Sequence, residues 1–104
     1  MSQAILEAKG EEVDAQLLLL DARDAKLRAW DAFERASEAY KTALWRLYDD
    51  FTDASQIAIE NAAYGRLVEA VERVRAARQK EIAGYEKHSA AMERLRAAVD
   101  GETE

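Results

Sequence analysis

The sequence predicts an all-α fold: a long antiparallel two-helix hairpin that completes a four-helix bundle by pairing with a second copy. Proline is absent from the 104 residues. Ala, Leu, Glu, Arg and Lys, the strongest helix formers, dominate the chain. Apolar residues recur at spacings of three, four and seven along two stretches, which is the signature of helices with one buried face. A single cluster of turn and cap residues, Asp49, Asp50, Thr52, Asp53 and Ser55, separates the stretches.

The first element is a short amphipathic segment, Ser2 to Lys9, with Ile5 and Leu6 apolar. Gly10 is expected to kink or break the chain after it, because glycine ends helices readily. The first long helix then covers about 11–49. Its apolar positions are Val13, Leu17, Leu20, Leu27, Trp30, Phe33, Tyr40, Leu44, Leu47 and Phe51, with Asp24 as a polar interruption. The turn falls at about 50–53. Asp53 is the expected N-cap of the second helix, with Gln56 placed for a capping-box reach-back. The second helix is expected over about 54–99. Its seam is read from the period-seven series Ile57, Tyr64, Val71, Arg78, Tyr85, Met92 and Val99, with Leu67, Val74 and Leu95 at an offset of three. Opposite charges four residues apart, such as Asp24 with Arg28, Asp31 with Arg35 and Glu69 with Arg73, mark solvated faces.

Two long helices joined by so short a turn fold back antiparallel, and the whole chain, 1–104, forms one domain. Facing residue numbers then add to about 103, which sets Tyr40 opposite Tyr64, Trp30 near Val74, Leu20 near Ile82 and Leu17 near Tyr85.

Composition narrows the functional classes. Apolar residues make up 49% and charged residues 35%, too hydrophobic for a disordered tail and too evenly charged for a membrane protein. The longest apolar run, Leu17–Leu20, is bounded by acids, so neither a membrane span nor a signal-peptide core is predicted, and the mature chain is expected to begin at Met1. With no cysteine there is no disulfide framework and no thiolate metal site, which fits the cytoplasm. A net charge of -6 argues against direct binding to nucleic acid. The acidity is concentrated in residues 1–53, with 12 acidic and 7 basic groups against 9 and 8 in the remainder.

Catalysis and metal binding find little footing. Asp49, Asp50 and Asp53 lack the alternating ligands, glycine and terminal glutamate of an EF-hand loop. His88 is the only histidine. Tyr85 stands where a Glu-x-x-His di-iron motif needs its glutamate. His88 is therefore expected at the edge of the core, hydrogen-bonded to a neighbour or to water. No nucleophile has a base to pair with. The protein is expected to be no enzyme and to carry no metal or cofactor. Arg73, Arg75, Arg78 and Lys80 spread around the helix as surface charge, although Arg78 falls within the seam series and could fix register there.

Protein–protein contact is the remaining role. Leu44, Trp45, Leu47, Tyr48 and Phe51 span about 160° of helix circumference, more than one facing helix covers, and Leu17–Leu20 point around most of theirs. The expected partner-binding residues are Trp45, Tyr48, Phe51, Leu47, Asp49 and Asp50 beside the turn, with Leu18 and Leu19 further along the first helix. The expected occupants are a second copy, a larger protein assembly, or both, with no membrane contact.

In length and central turn the chain resembles the small helical-hairpin secretion substrates that carry Trp-x-Gly at the bend. The residues here are Trp45, Arg46 and Leu47, without the glycine. The Tyr-x-x-x-Asp/Glu signal of those proteins has Ser89 as its last residue after Tyr85, so the resemblance is one of architecture. The sequence thus predicts an adaptor, chaperone, or phage or secretion accessory protein. The alternative is an acidic phage-type inhibitor that blocks a nucleic-acid-binding host defence complex by imitating phosphate charge.

Overall fold

The computed structural model describes residues 2–103 and contains two long helices packed together as a hairpin, with no strand among the described residues. Helix α1 spans Gln3–Asp49 and helix α2 spans Ala54–Thr103. No helix among the described residues is long and apolar enough to cross a membrane.

The helix boundaries follow from caps. Ser2 Oγ accepts a hydrogen bond from Ile5 N at 3.2 Å and so starts α1. Asp53 Oδ1 accepts from Ser55 N at 2.9 Å and Gln56 N at 3.3 Å, starting α2 at Ala54 as the sequence predicts. The reach-back from Gln56 is not made, because its buried Oε1 has no hydrogen-bond partner among the described residues. Asp50 Oδ1 fastens the turn by accepting from Thr52 N at 3.0 Å and Thr52 Oγ1 at 2.7 Å. The hydroxyl and then the amide of Thr52 hold the Asp50 carboxyl below its ordinary range.

The expected break at Gly10 does not occur. α1 runs through it, and no glycine among the described residues has a positive φ. A glycine inside a helix costs only about 1 kcal/mol relative to alanine. Ala8 and Glu12, buried on either side of Gly10, hold the helix against α2. α2 likewise passes Gly101 and ends at Thr103, four residues beyond the expected 99.

The chain divides into two compact units, each made from one stretch of each helix: Met1–Ala25 with Arg78–Glu104, and Lys26–Ala77. Within the second unit, which contains the turn, Ala43, Ala63, Ala70 and Ala77 are buried, and Phe33, Tyr40, Leu67 and Val74 are half-buried among them. The rings of Tyr40 and Tyr64 lie 5.7 Å apart, in the expected register. Burial, and then the neighbouring Glu60 carboxylate, raises the Tyr40 phenol above its ordinary value. Within the other unit, Ala8, Glu12, Ala15 and Leu19 of α1 pack with Gly84 and Ala91 of α2. A Cβ at Gly84 would stand 3.4 Å from the Leu19 Cα, so the two backbones approach closely there and glycine keeps the space open.

The seam differs from the expected one. On α1 it follows Ala8, Ala15, Ala22, Ala29, Ala36 and Ala43; on α2 it follows Ala63, Ala70, Ala77, Gly84, Ala91 and Ala98. All are buried or half-buried, and each series has a strict period of seven. The expected α2 series lies one residue later, on the flank, where Ile57, Tyr64, Tyr85, Met92 and Val99 are exposed. Arg78 sits on that exposed flank beside the buried Ala77 and does not enter the seam. Leu67, Val74 and Leu95 do belong to it. On α1 the same shift leaves Val13, Leu17, Leu20 and Leu27 outside, while Leu19, one position away, is buried. Interaxial distance is set by the side chains at the contact, and methyl groups let two helices close until larger residues can only straddle the seam. No large side chain among the described residues is fully buried.

Candidate interaction surfaces

The aromatic group beside the turn is built by the last turns of α1, which carry Trp45 and Tyr48, and by Phe51 in the turn itself. Ala43 points into the seam of its unit, so Trp45, two residues and about 200° further round the helix, points away from it. Trp45 is 73% exposed, Tyr48 68% and Phe51 64%. They are not scattered: Trp45 and Tyr48 have ring centroids 6.2 Å apart, and Tyr48 and Phe51 5.5 Å apart. Tilted pairs at this distance support one another and hold the rings as one apolar ledge. Lys41, Leu44, Trp45 and Tyr48 line a groove of about 430 Å³ beside it.

The other expected contact residues divide. Asp49 is exposed, and Asp50, also exposed, is committed to the turn through Thr52. Leu47 is half-buried. Leu18 is exposed over a shallow groove shared with Ala22, Ala25, Gly84 and Lys87. Leu19 is only 6% exposed and lies against Gly84, so it serves the seam and is not accessible to a partner.

His88 is half-buried, and its Nε2 stands 3.3 Å from Glu12 Oε1 of the other helix. Glu12 Oε2 lies 3.3 Å from Lys9 Nζ, and nearby Glu11 Oε2 accepts from Arg94 Nε at 2.8 Å. The His88 hydrogen bond, then Lys9, holds the Glu12 carboxyl below its ordinary value of 4.5, against the opposing effect of burial. A carboxyl depressed by folding contributes stability above its unfolded value, and that contribution disappears as the pH falls through the folded value. Acid unfolding below pH 4.5 is therefore expected to be partly driven by Glu12 protonation. Glu12→Gln should flatten the dependence of thermal midpoint on pH in that window; an unchanged slope would show that the pair does not govern acid stability. Among the described residues no three of His, Asp and Glu gather as a metal-binding group.

Sequence reasoning missed the His88 partner because Glu12 lies 76 positions away. The same register that pairs the helices elsewhere brings the two together. No protein-family model matches the chain, and neither a curated protein nor a solved structure matches it.

Proposed function

We propose that this chain is a non-enzymatic interaction protein that works through helix-on-helix contact, with the aromatic ledge beside the turn as the surface it presents to a larger protein assembly. The observation that carries this reading is the mutual packing of Trp45, Tyr48 and Phe51 while each stays about two-thirds exposed. Large exposed apolar clusters are uncommon on proteins that act alone, and tryptophan and tyrosine concentrate binding energy where a partner excludes water. Adaptor, chaperone and accessory roles in secretion or phage assembly all use such a surface.

The acidic-inhibitor reading draws on the net charge of -6. It is weakened by the bases that recur every seven residues along α2: Arg66 and Arg73 in the unit with the turn, and Lys80, Lys87 and Arg94 in the other. A phosphate-like surface would not interleave them with its acids.

Affinity capture from the native host tests the proposal. One protein should be recovered with the wild type and with Arg35→Ala, which removes only an exposed pair to Asp31, and should be absent with Trp45→Glu. Recovery that is indifferent to Trp45 would refute the ledge as the contact. A basic nuclease among the specific proteins would favour the inhibitor.

A further inference from the structure

In the unit made of Met1–Ala25 and Arg78–Glu104, α1 carries a second seven-residue pattern on the side away from its alanine seam. Leu6, Gly10, Val13, Leu17, Leu20 and Asp24 alternate at spacings of four and three, the spacing of a coiled-coil seam. All six are exposed. The space that a Cβ on Gly10 would enter is open to 4 Å. The buried Ala8, Glu12, Ala15 and Leu19 lie one or two residues off this series, roughly on the opposite face.

The charges bordering the exposed seam say what fits it. One border is acidic, with Glu7, Asp14 and Asp21 every seven residues. The other carries Lys9, Gln16 and Arg23 at the same period. Lys9 also reaches Glu12, and Arg23 lies over the Tyr85 ring at 5.7 Å, yet both side chains remain on the border. In an antiparallel pair of such helices like borders meet, acid on acid and base on base. In a parallel, in-register pair each border meets the opposite one, residue i against i+5 of the partner helix. Within the apolar run Lys9 then meets Asp14 of the other copy and Gln16 meets Asp21, and the two-fold repeats both contacts; Arg23, past Leu20, would meet Arg28, so the complementary stretch ends there.

We propose that the outer face of α1 between Leu6 and Leu20 is a self-association seam, on which α1 of a second copy packs parallel and in register. The proposal rests on the helix-on-helix reading of the chain but uses a different surface from the aromatic ledge. Leu6, Val13 and Leu20 take the positions where leucine favours two parallel strands, and Leu17 packs on its own counterpart. Gly10 meets Gly10, letting the helices close, and Asp24 ends the apolar run.

The full-length chain is tested by sedimentation equilibrium and by cross-linking. Wild type should have twice the monomer mass. Lys9→Glu should raise the dissociation constant by roughly tenfold or more, and Lys9→Glu with Asp14→Lys should restore it by exchanging the borders. Because the protein has no cysteine, Leu6→Cys reports the orientation directly. Under oxidation it should form a disulfide-linked dimer in an otherwise unaltered seam, without any charge introduced that could unfold the chain. A monomer at all accessible concentrations would overturn the proposal. Efficient cross-linking of Leu6→Cys chains to Asp24→Cys chains, with none between Leu6→Cys chains, would also do so, since it marks an antiparallel pair. Dissociation by Trp45→Glu but not by Leu17→Glu would move self-association to the ledge and overturn this seam while sparing the interaction reading. Partner capture indifferent to Trp45→Glu, with an intact dimer, would do the reverse.

Discussion

Ala91→Leu is expected to be among the most damaging single changes in the protein. Ala91 is 1% exposed and belongs to the period-seven small-residue series of α2. A leucine there adds three carbons at a position already closed to solvent, so either the helices separate or the side chain leaves its rotamer. Overpacking of this kind costs about 1–3 kcal/mol, sometimes more. For a domain of this size each kcal/mol lowers the thermal midpoint by about 4–8 °C. A fall of roughly 10 °C or more is expected by circular dichroism. Met92→Leu, one residue further on at an exposed position, should leave the midpoint nearly unchanged. The pair of variants separates the two possible phases of the helix: with Met92 in the seam, the order of damage would reverse.

The second large effect is on binding. Trp45 offers the most exposed large apolar side chain of the aromatic ledge, supported by Tyr48. Truncating a central aromatic anchor costs 2 kcal/mol or more in typical interfaces, and a carboxylate in its place adds a desolvation penalty. Trp45→Glu should therefore weaken the partner complex by at least about thirtyfold. Trp45→Phe, which keeps an apolar ring, should lose much less. Because Trp45 points away from the seam, both variants should keep the helical circular dichroism signal and the thermal midpoint of the wild type.

The hairpin was legible because its signals are local and concordant. Proline is missing throughout, the caps cluster between Asp49 and Ser55, and Asp53 starts α2 at the predicted residue. The phase of the helices was not, because hydrophobic periodicity is dominated by leucines and aromatics, whereas alanine reads equally as a helix former. The signal was present: alanine recurs every seven residues from Ala8 to Ala43, and small residues do so from Ala63 to Ala98. Once these residues take the seam, Leu17 and Leu20 move outward and Leu19 moves inward, as a shift of one or two residues in a helix must cause. Gly10 looks like punctuation in the sequence, yet it lies inside a continuous helix. The aromatic ledge was legible for the opposite reason, since five large apolar residues within eight positions exceed what one facing helix can cover whichever phase is adopted.

The interaction reading is tested most directly by photo-cross-linking in the native host, with a photoreactive phenylalanine analogue placed at Tyr48 in one strain and at Arg35 in another. A discrete protein adduct from Tyr48, suppressed by Trp45→Glu and absent from Arg35, is the predicted result. No adduct from Tyr48, or the same adducts from both positions, would contradict the ledge as the surface through which this protein acts.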